Sequence, residues 1–183
     1  MISIIAIMIS SIIMFLSPLV LIADRSDDIS QLLAQTATTE FVNEVITSGQ
    51  ITTDNYQRFV SSLYSSGNTY EIDMEVKILD ETTAQQVTKK DNSRIGNNSY
   101  YSLFTSQIEE KIGVSAANAN TTYNKTGTGM LNLKQGDGIF VTVKNNSKTL
   151  SQVLKNFYYN VTDGDLHIIA ASSSGTININ GAT

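Results

Sequence analysis

The first 23 residues, MISIIAIMISSIIMFLSPLVLIA, hold no charged side chain; the first charge is Asp24. A helix that is apolar all round must lie in lipid or in protein. At 1.5 Å per residue the stretch is roughly 34 Å long, close to the roughly 30 Å of a hydrocarbon core. No Lys or Arg precedes it, and it is too long for the apolar centre of a cleaved secretory signal. It therefore reads as a membrane-spanning helix. The flank DRSDD carries three acids and one Arg, too little positive charge to hold that side in the cytoplasm. The C-terminal part is accordingly placed outside the cell. The absence of a basic leader suggests a sequence that starts after its leader was removed.

Two details depart from a plain anchor. Ser3, Ser10, Ser11 and Ser17 interrupt the apolar surface, and Pro18 sits inside the run. Proline removes a helical hydrogen bond and crowds the carbonyl four residues back. Serines and small residues mark helix–helix contacts in apolar surroundings. A helix that packs against copies of itself fits these details better than a solitary anchor.

Helical character continues past Asp24. Ile29, Leu32, Leu33, Ala37, Phe41 and Val45 recur at three- and four-residue steps and form one apolar stripe. Gly49 is the stop signal. From Ile2 to Ser48 such a helix is roughly 70 Å long. The organisation expected is a long N-terminal helix over 1–48, apolar over 1–23 and amphipathic over 24–48, followed by a globular head over 49–183.

Within the head, ITTDNYQRFVSSLYSSGN predicts a helix capped by Thr52 or Thr53 and ended by Gly67, with Tyr56, Phe59, Val60, Leu63 and Tyr64 buried. In TYEIDMEVKIL the period switches to two, the mark of a half-buried strand. Residues 80–98 are polar and loop-like. YYSLFTSQIEEKIG predicts a short helix through Tyr101, Phe104, Ile108 and Ile112. Residues 118–129 read as an exposed loop. GDGIFVTVKN predicts a strand with Phe140 and Val141 on opposite faces, and KTLSQVLKNFYY a helix with a stripe of Leu150, Val153, Leu154 and Phe157. DLHIIAAS and GTININ are candidate strands joined by SSSG. The fold class expected is α+β: a long helix packed on a small head with short helices and an antiparallel sheet of about four strands.

Little of this supports catalysis. There is no cysteine, hence no thiolate chemistry and no disulfide. The single histidine, His167, lies in a strand pattern without partners at metal-ligand or catalytic spacing. Glu71, Asp73 and Glu75 share one strand face and read as a solvated row. Gly136-Asp137-Gly138 is a turn, because no Lys-Ser/Thr pair completes a phosphate loop. The chain is mildly acidic, with a net charge of −5 and no basic cluster, so nucleic acid is not an expected partner. No cofactor or metal is expected. Asn-x-Ser/Thr triplets at Asn97, Asn120, Asn124, Asn145 and Asn160 are candidate glycan acceptors.

An uncharged N-terminal helix containing a proline, an amphipathic continuation and a small β-bearing head together resemble a type IV pilin after leader removal. More narrowly, GQITTDNYQRFVSSLYSSGNTYEIDMEV, GDGIFVTVKN and SSSGTI are similar to pilin-like proteins of Gram-positive Tad-type systems. The resemblance implies a secreted filament subunit whose partners are copies of itself, a prepilin peptidase and an assembly motor, with the membrane as its station before assembly. Ile5 stands where many type IV pilins carry a glutamate, and Pro18 comes earlier than the commonest helix-breaking proline.

The assembly helix is thereby assigned to Ile2, Ile5, Ile9, Ile12, Ile13, Phe15, Leu16, Pro18 and Leu19, and packing of the helix on the head to Ile29, Leu33, Phe41 and Val45. The function expected is structural rather than enzymatic: a homopolymeric surface filament. The alternative is a membrane-tethered extracytoplasmic binding module or a minor tip pilin.

Overall fold

The computed structural model describes residues 2–79, 100–114, 129–159 and 168–181. Helix α1 (Ile2–Ser48) runs unbroken through Pro18. It ends where Gly49 adopts φ +67, with its N–H donating to the Val45 carbonyl at 2.8 Å. A side chain at Gly49 would meet the Gly181 nitrogen at 2.6 Å and the Ile179 carbonyl at 2.8 Å. Glycine therefore serves twice here, for the left-handed backbone and for the close passage of the C-terminal segment.

Strand β1 (Gln50–Thr52) follows at once and pairs antiparallel with β4 (Met130–Asn132). Helix α2 (Thr53–Tyr64) is capped by Thr52, one of the two threonines that qualified on sequence. The Thr52 hydroxyl accepts from the Asn55 N–H, and the Asn55 side chain accepts from the Thr52 N–H at 2.9 Å. This reciprocal pair satisfies two donors that a helix start leaves open.

The main sheet contains β2 (Tyr70–Leu79), β3 (Tyr100–Phe104), β5 (Gly138–Asn145) and β6 (Ala170–Thr176) in the order β3-β2-β5-β6, all antiparallel. Among the described residues the head also has two short helices, α3 (Thr105–Ile112) and α4 (Leu150–Tyr159). The α+β class is as expected. Alternation along β2 and β5 turns Tyr70, Met74, Val76, Ile139, Val141 and Val143 into the core. Phe140 points outward, under Lys77.

Tyr64, expected in the buried stripe of α2, is 49% exposed, and two segments are reassigned. The segment 100–112 is not one helix: its first five residues pair with β2, Val76 opposite Leu103, and the helix starts only at Thr105. SSSG does not join two strands; it lies inside β6. The small residues of β6 have a use. Ser173 and Gly175 share one face of the strand, and a side chain at Gly175 would come within 2.2 Å of Ile46 Cδ1 on α1. Small residues there let the helix lie close along the strand.

The second half of α1 holds the head by three kinds of contact. Phe41 stacks on Phe59 of α2, centroids 4.6 Å apart, and meets Tyr56 edge-on. Such ring pairs contribute about 0.5–1.5 kcal/mol beyond their burial. Ala34, Ala37, Val42 and Val45 bury fully or nearly so against the head. Gln31 donates to the Ala170 carbonyl at 2.6 Å and accepts from the Ala170 N–H at 3.1 Å, closing one position of the β6 edge as a strand residue would.

Asp137, in the Gly-Asp-Gly turn, is buried. Its carboxylate accepts from the Leu79 N–H at 2.9 Å and the Lys134 N–H at 2.7 Å, tying the end of β2 to the turn before β5. The loops read at 80–98 and, almost entirely, at 118–129 lie outside the described residues. So do His167, Asn97, Asn120, Asn124 and Asn160.

Candidate functional site

The surface that stands out is the first half of α1. Twelve large apolar side chains between Ile4 and Ile22 are each at least 44% exposed. Ile5, Ile9, Ile12, Ile13, Phe15 and Leu19 are among them, Phe15 at 78%. Ile2 opens the helix, and Pro18 lies exposed within it. Leu16 differs: it is half-buried, as is Val20 one turn on, so the head side of the rod is already partly covered there. The helix is long and apolar enough to cross a membrane. Left in water, these side chains would cost on the order of 20 kcal/mol relative to burial. The rod requires shelter that the described residues of one copy do not provide.

Pro18 gives the Met14 carbonyl, four residues back, no helical donor. Apolar surroundings tolerate such a carbonyl when a neighbouring helix or hydroxyl reaches it.

Beyond Asp24 the structure corrects the assignment of the head-facing side. Phe41 and Val45 are buried and Leu33 is half-buried, but Ile29 is 65% exposed, as is Leu32. The residues that face the head near this level are Ala23, Asp27, Ser30 and Ala34. The buried hydroxyls are satisfied within the helix: Ser30 donates to the Ser26 carbonyl and Thr38 to the Ala34 carbonyl. The reason for the polar contact is α4. Thr149, at its start, donates to the buried Asp27 carboxylate at 2.7 Å. Ser151 donates to Asp24, and Lys155 pairs with the same carboxylate at 2.6 Å. Two carboxylates at the first turn of a helix are also favoured by its dipole.

Helix α4 thereby turns polar residues inward. Ser151 and Gln152 are buried, whereas Leu150 is 63% and Val153 51% exposed. Ser151 and Gln152 lie on its inner side, Leu150 and Val153 face out, and Leu154 is half-buried. Sequence spacing identified the stripe; only the carboxylates of α1 decide which way it points.

Elsewhere the head offers structural chemistry. Tyr56 is buried and donates to Glu109 at 2.6 Å; burial first, then Glu109, pushes its phenol above the usual tyrosine range. Glu44 and Arg58 pair across the exposed groove between α1 and α2. Glu75 accepts from Ser102, while Glu71 and Asp73 face solvent. Asn145 is not available as a glycan acceptor in this fold. It is buried, its amide nitrogen donates to the Ser147 carbonyl and its oxygen accepts from the Ile169 N–H.

No family model, curated protein or solved structure matches the chain.

Proposed function

We propose that this chain is the structural subunit of a homopolymeric, extracellular type IV pilus-like filament. The first half of α1 forms the core and the heads form the wall. Before assembly the same helix resides in the cytoplasmic membrane; a prepilin peptidase and an assembly motor act during biogenesis.

The observation that carries this reading is an exposed apolar rod, interrupted by serines and Pro18 and continuous with the helix that holds the head. Its large apolar side chains run from Ile4 to Ile22 and stop at the charged flank of Asp24 and Arg25. At 1.5 Å per residue that is roughly 27 Å, a length that a hydrocarbon core of roughly 30 Å covers before assembly. Ser3, Ser10, Ser11 and Ser17, and the Met14 carbonyl freed by Pro18, are better met by neighbouring helices than by acyl chains. Moving the helix from lipid to protein gains little hydrophobic energy, because acyl chains are as apolar as leucine. Extrusion therefore needs work from a motor.

Material sheared from cells producing the chain tests the reading, by negative-stain imaging and mass spectrometry. Fibres in which this chain is the dominant protein are expected. Retention in detergent-soluble membranes, with no fibre containing it, would contradict the proposal. A second reading, a membrane-tethered binding module or a tip subunit, draws on the capacity of α1 to cross a membrane. Stoichiometry separates the two, since a tether or tip protein is scarce in fibres.

A further inference from the structure

Among the exposed apolar side chains of the described residues outside the rod core, two pairs face opposite ways. The first is Ile29 with Leu32 on α1, both 65% exposed. The second is Leu150 with Val153 on α4, 63% and 51% exposed. Thr149 is bonded to Asp27 and Ser151 to Asp24, which sets the start of α4 at the level of residues 24–27 of α1. Ile29 is two residues past Asp27, roughly 3 Å further along the axis and about 200° around it, nearly opposite the α4 contact. The outward face of α4 points away from α1, because Ser151 and Gln152 occupy its inner side. One subunit thus carries an apolar patch on each flank at nearly one height.

We infer that these patches are the two halves of one contact between copies of this chain: Ile29 and Leu32 of one subunit seat on Leu150 and Val153 of the next. The contact is heterologous, joining unlike surfaces, and a heterologous contact that does not close into a ring propagates as a helix. The charges at the rims agree with the pairing. Exposed Asp28 borders Ile29, and exposed Lys148 precedes Leu150 by two residues. The inference rests on the filament reading and adds to it a contact outside the rod core that fixes which flank of each head meets the next.

The chain has no native cysteine, so introduced thiols report without background. Sheared fibres of the full chain carrying both Ile29→Cys and Val153→Cys are oxidised and run on a denaturing gel. A ladder of dimers, trimers and higher multimers is expected, at least tenfold above either single variant. The pair Leu32→Cys with Leu150→Cys carries the same test if the first pair blocks assembly. Fibres without a ladder from either pair would overturn the contact and leave the filament reading intact. Dimers from Val153→Cys alone would make the contact two-fold and overturn it. Quenching of a fluorophore on Val153→Cys by spin-labelled lipid in assembled material would give that face to lipid and overturn the contact as well. Absence of fibres from the unmodified chain would overturn both readings.

Discussion

Asp27 and Thr149 are 122 residues apart in sequence and meet in a buried hydrogen bond of 2.7 Å. The bond joins the long helix, just past its apolar half, to the start of α4. Asp27→Ala leaves the Thr149 hydroxyl buried without its acceptor, a loss of about 1–3 kcal/mol. Asp27→Asn keeps an acceptor oxygen and should cost less. Thermal unfolding of the full chain in detergent measures both; equal midpoints for wild type and Asp27→Ala would show that the contact holds nothing.

Gly175→Val should destabilise the head by about 1–3 kcal/mol through overpacking. The added atoms meet Ile46, whose Cδ1 lies 2.2 Å from where a Cβ would stand. Combining it with Ile46→Ala should recover part of the loss, because the space is shared. Simple addition of the two losses in the double variant would argue against a direct clash.

Tyr56 links stability to alkaline pH. Its phenol, raised by burial and by Glu109, keeps its proton in the folded state above about pH 10, where an unfolded tyrosine loses it. The unfolded state then binds fewer protons than the folded one, so stability falls as pH rises past about 10, by up to about 1.4 kcal/mol per pH unit for one group. Below that pH both states are protonated and the contribution is complete. Tyr56→Phe should lower stability by about 1 kcal/mol at neutral pH. Its deficit relative to wild type should narrow above about pH 10; a constant deficit up to pH 12 would contradict the assignment.

Ile5→Asp and Ile9→Asp should each abolish fibres and leave the head folded. A carboxylate in an apolar helical core costs several kcal/mol unless paired. Fibre yield in the sheared fraction and the unfolding midpoint in detergent read the two effects separately. Normal fibres from either variant would contradict packing of these side chains among neighbours.

Where a segment's periodicity is long and its partner local, the sequence was enough. The alternation from Tyr70 to Leu79 reads as a strand because five of its positions repeat with period two. The α2 start reads from a threonine cap, narrowed on sequence to Thr52 or Thr53, because the cap's partner is only three residues away. The segment from Tyr100 to Ile112 misled because five residues fit either period. Its pairing with β2 is set by residues more than twenty positions away. For Ile29 the misreading has another cause. Hydropathy assigns isoleucine to the inside, but the inner face near that level is taken by Asp27, Ser30 and Ala34, and Thr149 at the start of α4 donates to Asp27. Such polar complementarity leaves no period in either helix. The serines and glycine of β6 likewise look like a link, and become a strand because α1 needs small residues beneath Ile46.

The most direct measurement is a helical reconstruction of the sheared surface fibres at side-chain resolution. The expected map shows residues 2–23 of each copy in a central bundle, packed on the same residues of other copies and free of lipid. A map without this helix, or one showing it alone in acyl chains, would contradict the account.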